Sequence, residues 1–167
     1  MRFHLVDRIL ELVPGEKIRT VKNLTLAEEY LADHFPGFPV MPGVLMLQAL
    51  VESAAWLLRV TEDFQYSVIA LREARNVKYG NFMEPGKSLI TTVELAEGQG
   101  GVAEAVCKGK GEMDGQSTVS ARFTVTRYNL RDRNPALAAV DSRIVDQLRQ
   151  HYLILGGRLD EVKPPCN

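Results

Sequence analysis

The chain is predicted to be an α+β protein in which an antiparallel sheet wraps around one long central helix. Three observations predict this. The run Gly43 to Val60 carries apolar residues on nearly every face, among them Val44, Leu47, Leu50, Ala54 and Leu58, and a helix apolar all round has to be buried all round. Strand-like runs follow it in series: Tyr66 to Lys78, Ser88 to Ala96, Val102 to Gly111 and Thr118 to Tyr128. An antiparallel meander curled around the helix is the simplest cover for all its faces. A length of 167 residues, 46% hydrophobic and 25% charged, suits one such core.

Each element has a local reason. A short segment spans Phe3 to Leu12 and turns at Pro14-Gly15. Lys17 to Leu24, with β-branched Ile18, Thr20 and Val21, reads as a strand. Thr25 is placed to cap a short helix through Asp33, with Glu28 three residues on completing a capping box. Pro85-Gly86, Gly98-Gln99-Gly100-Gly101 and Asp114-Gly115 separate the later strands, and the Asp-Gly pair is a hairpin signal. Beyond Asn129 comes a charged link, Arg131 to Pro135. In Asp141 to Leu155, the residues Ile144, Leu148, His151/Tyr152 and Leu155 recur at helical spacing, so an amphipathic helix ending at Gly156-Gly157 is expected. The organisation is thus residues 1–130 as the main domain and 131–167 as an extension, which packs on the sheet or a partner subunit or, alternatively, gates substrate.

Composition excludes several function classes. With 20 basic and 21 acidic residues the net charge is −1, too little positive field for a nucleic-acid partner. Arg2, Asp7, Arg8 and Glu11 break up any secretory signal, so a cytoplasmic location is expected. Pro42, Gln48, Glu52 and Ser53 interrupt the apolar run, which makes a membrane span a poor reading. Cys107 and Cys166 lack the spacing of a zinc site and read as free thiols.

The chemistry concentrates in His34 to Glu52, HFPGFPVMPGVLMLQALVE. A histidine on a proline- and glycine-ruled loop runs into the start of the apolar helix. The N–H groups of Gly43 and Val44, just after Pro42, have no intrahelical partners and suit a developing oxyanion. His34 is the candidate base for removing a proton next to a carbonyl. Phe38, Met41, Leu45, Phe82 and Met83 either line an acyl tunnel or belong to the core. Gln48 and Glu52 stand one helical turn apart on the same stripe, and burial in so apolar a helix raises a carboxyl pKa toward that of a general acid. His4 and His151 have no comparable setting and read as structural.

The segments His34-Phe35-Pro36-Gly37, Pro39 and Pro42-Gly43-Val44-Leu45 resemble the signature of the FabZ-like 3-hydroxyacyl-(acyl carrier protein) dehydratases of the hotdog-fold superfamily. Leu5 to Glu11, Val21 to Thr25, Pro85-Gly86 and Val93-Glu94-Leu95 extend the likeness over roughly residues 3–128. The resemblance implies a hotdog fold and dehydration of a 3-hydroxyacyl thioester to the trans-2-enoyl thioester. It implies acyl carrier protein, with its phosphopantetheine-linked substrate, as partner, and a homodimer or a higher assembly built on one. No metal or organic cofactor is implied. In the family a Glu lies fourteen residues after the histidine, where this chain has Gln48, and the usual Gln four residues later is Glu52 here. The proton for the departing hydroxyl then comes from Glu52, from Gln48 with a water, or from His34 itself. Arg72, Arg75, Lys78 and Lys87 are available to an acidic carrier. A hotdog thioesterase and a non-catalytic acyl or carrier-protein binding module are the alternatives.

Overall fold

The computed structural model describes residues 4–96 and 103–158. The elements are β1 (Arg8–Val13), β2 (Lys17–Asn23), a 3-10 turn (Glu29–Leu31), α1 (Gly43–Thr61), β3 (Val68–Tyr79), β4 (Ser88–Leu95), β5 (Glu104–Met113) and β6 (Gln116–Tyr128). Two more 3-10 turns (Leu130–Asp132, Pro135–Leu137) lead into α2 (Ala138–Ile154). The expected start at Phe3, the Gly98 to Gly101 break, Val102 and Cys166 lie outside the described residues.

All six strands form one antiparallel sheet in the order β1-β2-β4-β5-β6-β3. A serial meander is therefore not what forms. β3 lies at the far edge against β6, from Val68↔Tyr128 to Tyr79↔Val119. β2 already occupies one side of β4 through Ile18↔Val93, and β5 occupies the other through Val93↔Gly109, so β3 is shut out from β4 and lies at an edge, the one beside β6. The β5–β6 hairpin closes as expected, with Asp114 at φ 51° and Gly115 at φ 77°, the left-handed pair that a two-residue turn of this twist requires.

α1 packs against β2, β3, β4, β5 and β6, which is the wrapped-helix arrangement of the hotdog fold. It is long and apolar enough to cross a membrane, yet here it is the core helix. Burial on all sides holds from Ala49 to Leu58, apart from half-buried Glu52. The first two turns differ: Val44 is 68% exposed and Gln48 is exposed. Gly109 on β5 lets the helix come close, since a Cβ there would meet Leu50 Cδ1 at 3.1 Å and Phe123 Cε1 at 3.0 Å. Three buried hydroxyls pin α1 to the sheet: the Thr20, Ser53 and Thr91 oxygens lie 2.7–2.9 Å from one another, and Ser53 donates to the Ala49 carbonyl at 2.7 Å while accepting from its neighbours. Each polar group thereby finds a partner, so the trio is tolerated inside the core.

The helix expected between Thr25 and Asp33 shrinks to the turn Glu29–Leu31. Glu28 does not complete a capping box, because its carboxylate is taken by the buried Lys22 ammonium at 2.6 Å. That ion pair, shared with Asp7, outcompetes an N-terminal bond because an unpaired buried ammonium is costly.

α2 begins three residues before the expected Asp141. Asn134 accepts the Ala136 N–H at 3.1 Å and Pro135 starts the turn that feeds the helix. Asp141, 2% exposed, is an anchor: it accepts the N–H groups of Leu130 and Arg131 at 2.9 Å each, and the Ser67 hydroxyl. Burial opposes its charge, but these three donors prevail and hold the carboxyl below its ordinary range. At the other end the Ile9 N–H donates to the Leu155 carbonyl at 2.8 Å, and Gly156 at φ 87° ends the helix as expected. Tyr152 is fully buried against Trp56 and Phe64. The extension thus packs on α1 and β1 of its own protomer.

Candidate active site

His34 sits between the short turn and α1, its backbone N–H held by the Tyr30 carbonyl at 3.1 Å. The next residue, Phe35, has φ 51°. A left-handed backbone costs a side-chain-bearing residue on the order of 1–2 kcal/mol, and the Phe38 N–H to Phe35 carbonyl bond of 2.7 Å holds the turn. Met41 N–H donates to the Met83 carbonyl at 2.9 Å, which ties the loop to the segment after β3. Pro42 then opens α1 without a side-chain cap. Leu45 and Met46 N–H groups turn back to the Pro42 carbonyl, leaving those of Gly43 and Val44 without a partner among the described residues.

A cleft of roughly 450 Å³ brings these parts together: His34, Met41, Gly43, Val44, Tyr79 and Phe82 line it. The Tyr79 ring lies against Gly43, where an added Cβ would meet its Cε1 at 3.1 Å, and partial burial raises the phenol pKa. Phe38 stands at the rim, edge-on to Phe82 with ring centroids 5.7 Å apart. Met83 is wholly buried in the core, and Leu45 packs against that core. The cleft therefore places an imidazole, two free helix-start N–H groups and apolar walls around one volume, which suits a thioester whose oxygen gains charge as a neighbouring proton leaves.

Gln48 and Glu52 open elsewhere. They line a second cleft, roughly 490 Å³, between α1 and α2, together with Trp56, Arg59, His4 and His151. Glu52 Oε2 accepts the Leu5 N–H at 2.9 Å. Burial raises its pKa, with the Leu5 N–H and the charges of His4 and Arg59 partly offsetting. The Trp56 indole is close enough to favour the anion, but its buried Nε1 makes no hydrogen bond of acceptable geometry among the described residues. Arg59 is pushed down to about 10 by burial, against the pull of Glu52. His151 is lowered by burial and by the charges of His4 and Arg59, and its ring stacks on both His4 and Trp56.

Residues 1–122 match the family model of the FabA-like domain. The chain belongs to the FabA-like family. Among relatives it is similar to the 3-hydroxyacyl-[acyl-carrier-protein] dehydratase FabZ of Syntrophomonas wolfei, 39% identical over 111 residues that make up 66% of this chain and 74% of that one. The FabZ of a Janthinobacterium species is 36% identical over 135 residues, 79% of this chain and 85% of that one. The dehydratase heterocomplex ApeI:P from Xenorhabdus doucetiae shares the fold at a TM-score of 0.64, with 12% identity, 81% of this chain and 90% of that chain covered. The smu.793 protein of Streptococcus mutans, solved bound to acetyl CoA, does so at 0.55, with 12% identity, 76% of this chain and 92% of that chain covered.

Within this FabA-like domain, His34, Gly43, Val44 and Met41 converge on the first cleft, Phe38 flanks it, and Gln48 and Glu52 face the second. Tyr79 was not foreseen. It ends β3, and only the placement of that strand beside β6 carries its ring to Gly43. Of the basic residues open to a carrier, Arg72 pairs with Glu104, Arg75 with Glu73 and Lys87 with Asp114. Lys78 makes no ion pair among the described residues. Exposed pairs of this kind contribute little and are readily exchanged for a partner's carboxylates.

Proposed function

We propose that the protein dehydrates a 3-hydroxyacyl thioester on acyl carrier protein to the trans-2-enoyl thioester and water, in the cytoplasmic synthesis of fatty acids or related acyl chains. The observation that carries this reading is the approach of His34 and the free Gly43 and Val44 N–H groups to one apolar cleft. The named relatives of this FabA-like chain support it. His34 takes the C2 proton through a ring nitrogen, and the Gly43 N–H, with Val44 beside it, holds the thioester oxygen as it becomes negative. The C3–O bond then breaks, and the hydroxyl leaves as water once it receives a proton.

The working unit in this proposal is a homodimer, with residues 1–130 as the dehydratase body and 131–167 as an appended element. Two features support the dimer. β3 is a twelve-residue edge strand with Leu71 exposed, and an uncovered edge of that length invites pairing. α1 also leaves Val44 uncovered at the first cleft and Gln48 uncovered one turn further on, toward the second. Pairing two copies supplies each His34 with the Gln48/Glu52 face of the other, which one protomer does not bring into its own cleft. Glu52, with its raised pKa, is then the proton donor, and Gln48 or a water bridges to the substrate. Mixing His34→Ala with Glu52→Gln protein checks this: neither alone turns over appreciably, and re-formed mixed dimers recover activity. Absence of any recovery removes the shared site.

The direct test follows enoyl absorbance and free thiol with purified protein and a 3-hydroxyacyl carrier. Reversible enoyl formation is the expected result, and Glu52→Gln, which keeps an acceptor for Leu5, slows it by about 10²-fold or more. Gln48→Glu alone changes the rate little, while the double exchange stays active. Thiol release instead identifies a thioesterase. A binding-only module has one observation in its favour, the absence of a carboxylate from the His34 cleft among the described residues, and it predicts neither product, with Gln48→Glu then restoring turnover.

A further inference from the structure

Lys22 is a buried lysine, 4% exposed, on the inner face of β2 beside Ile18 and Thr20. Its ammonium donates to Glu28 Oε1 at 2.6 Å and lies 3.5 Å from Asp7 Oδ1. Asp7 belongs to the sheet frame, since its N–H donates to the Val21 carbonyl at 2.8 Å and its Oδ2 accepts the Asn23 N–H at 2.6 Å. Glu28 belongs to the loop that carries His34. Lys22 therefore joins that loop to the sheet, and among the described residues no other ion pair does so.

The backbone from Glu28 to His34 is wound tightly enough to pass this position on. The Leu31 N–H donates to the Glu28 carbonyl at 3.1 Å, the Ala32 N–H to that of Glu29 at 3.2 Å and the His34 N–H to that of Tyr30 at 3.1 Å. Tyr30 stands beside the charged trio: burial, and then the Glu28 and Asp7 charges, raise its phenol pKa. Beyond it, no residue from Ala32 to Phe38 is buried. Leu31 is buried, but apolar contact is non-directional and lets the turn slide or rotate, whereas an ion pair of fixed reach does not. As a source of stability the trio is a poor choice, because taking an ammonium out of water offsets most of what the pairing returns and apolar residues of similar volume often do as well. What it supplies is a defined position. We infer that Lys22, acting through Glu28, is a positioning residue that holds the His34 imidazole in the first cleft. The inference rests on His34 being the base of the proposed dehydration, and Asp7, Lys22 and Glu28 line neither cleft.

Lys22→Met combined with Glu28→Leu exchanges the pair for apolar side chains of similar volume and leaves Asp7 on the Asn23 N–H. The melting temperature should fall by no more than about 5 °C. Well below melting, kcat for enoyl formation should fall by at least about tenfold while KM changes by less than about threefold, since a shift of about 1 Å at a reacting group suffices for such a loss. A merely structural pair leaves kcat per folded molecule unchanged. Single changes separate reach from charge: Glu28→Gln keeps the reach and an acceptor for the ammonium, and Glu28→Asp keeps the charge but not the reach. The glutamine form should be faster than the aspartate form by at least about threefold, and the reverse order overturns the proposal. A second readout needs no turnover. His34 is one of three histidines, so its ring signals in NMR are assigned by their loss in His34→Ala. They should shift or broaden in the double variant while those of His151 stay in place. Unmoved His34 signals, or an unchanged kcat, overturn the inference. If the unaltered protein forms no enoyl product, the dehydration reading fails on its own and the ring signals alone decide whether the pair holds His34. If the double variant fails to fold, the comparison of glutamine with aspartate at position 28 decides.

Discussion

Substituting His34 by alanine is expected to slow dehydration by about 10² to 10⁴-fold, the usual contribution of a positioned general base. Thermal stability should hardly change. The ring is only partly buried on a loop, its one ring contact among the described residues is Phe35 at 4.5 Å, and the loop is fixed by backbone bonds from His34 to Tyr30 and from Met41 to Met83 that the substitution leaves in place. Initial rates and a melting curve on the same preparation test this. A variant with near-normal rate removes His34 as the base, and one with a collapsed melting curve makes its role structural.

Gly43→Pro should be slower than Gly43→Ala by about 10² to 10³-fold, because proline deletes the N–H proposed to hold the oxyanion. The exchange is clean for a geometric reason. Gly43 is the first residue of α1, where no intrahelical bond uses its N–H and proline is favoured. Pro42 has φ −55° and ψ 133°, the extended conformation that a following proline demands. Both variants add a Cβ that presses on the Tyr79 ring at 3.1–3.3 Å, so the alanine form measures that crowding and keeps the N–H. Helix content by circular dichroism should match between the two. Equal rates for both variants place the oxyanion elsewhere, with the Val44 N–H next in line.

What the sequence alone determined is local. Hydrophobic period and turn chemistry act over a few residues, so α1 opening after Pro42, the Asp114-Gly115 hairpin and the Gly156 stop of α2 were all legible. The His34 to Leu45 motif was legible for the same reason, since a loop of fixed prolines delivers its histidine to the adjoining helix start wherever that helix lies. Pairing over long separations was not. With both sides of β4 taken, β3 pairs at the edge beside β6, and Tyr79 reached Gly43 only through that choice of edge. Glu52 shares the motif with His34, yet the turn of α1 and the burial of its inner faces direct it to the α2 side, onto the Leu5 N–H. Trp56 and Arg59 meet His151 across most of the chain's length because Asp141 and Tyr152 anchor α2 over α1. Contacts between segments so distant depend on which apolar faces are still uncovered once the nearer ones have paired, and only the tertiary structure decides that.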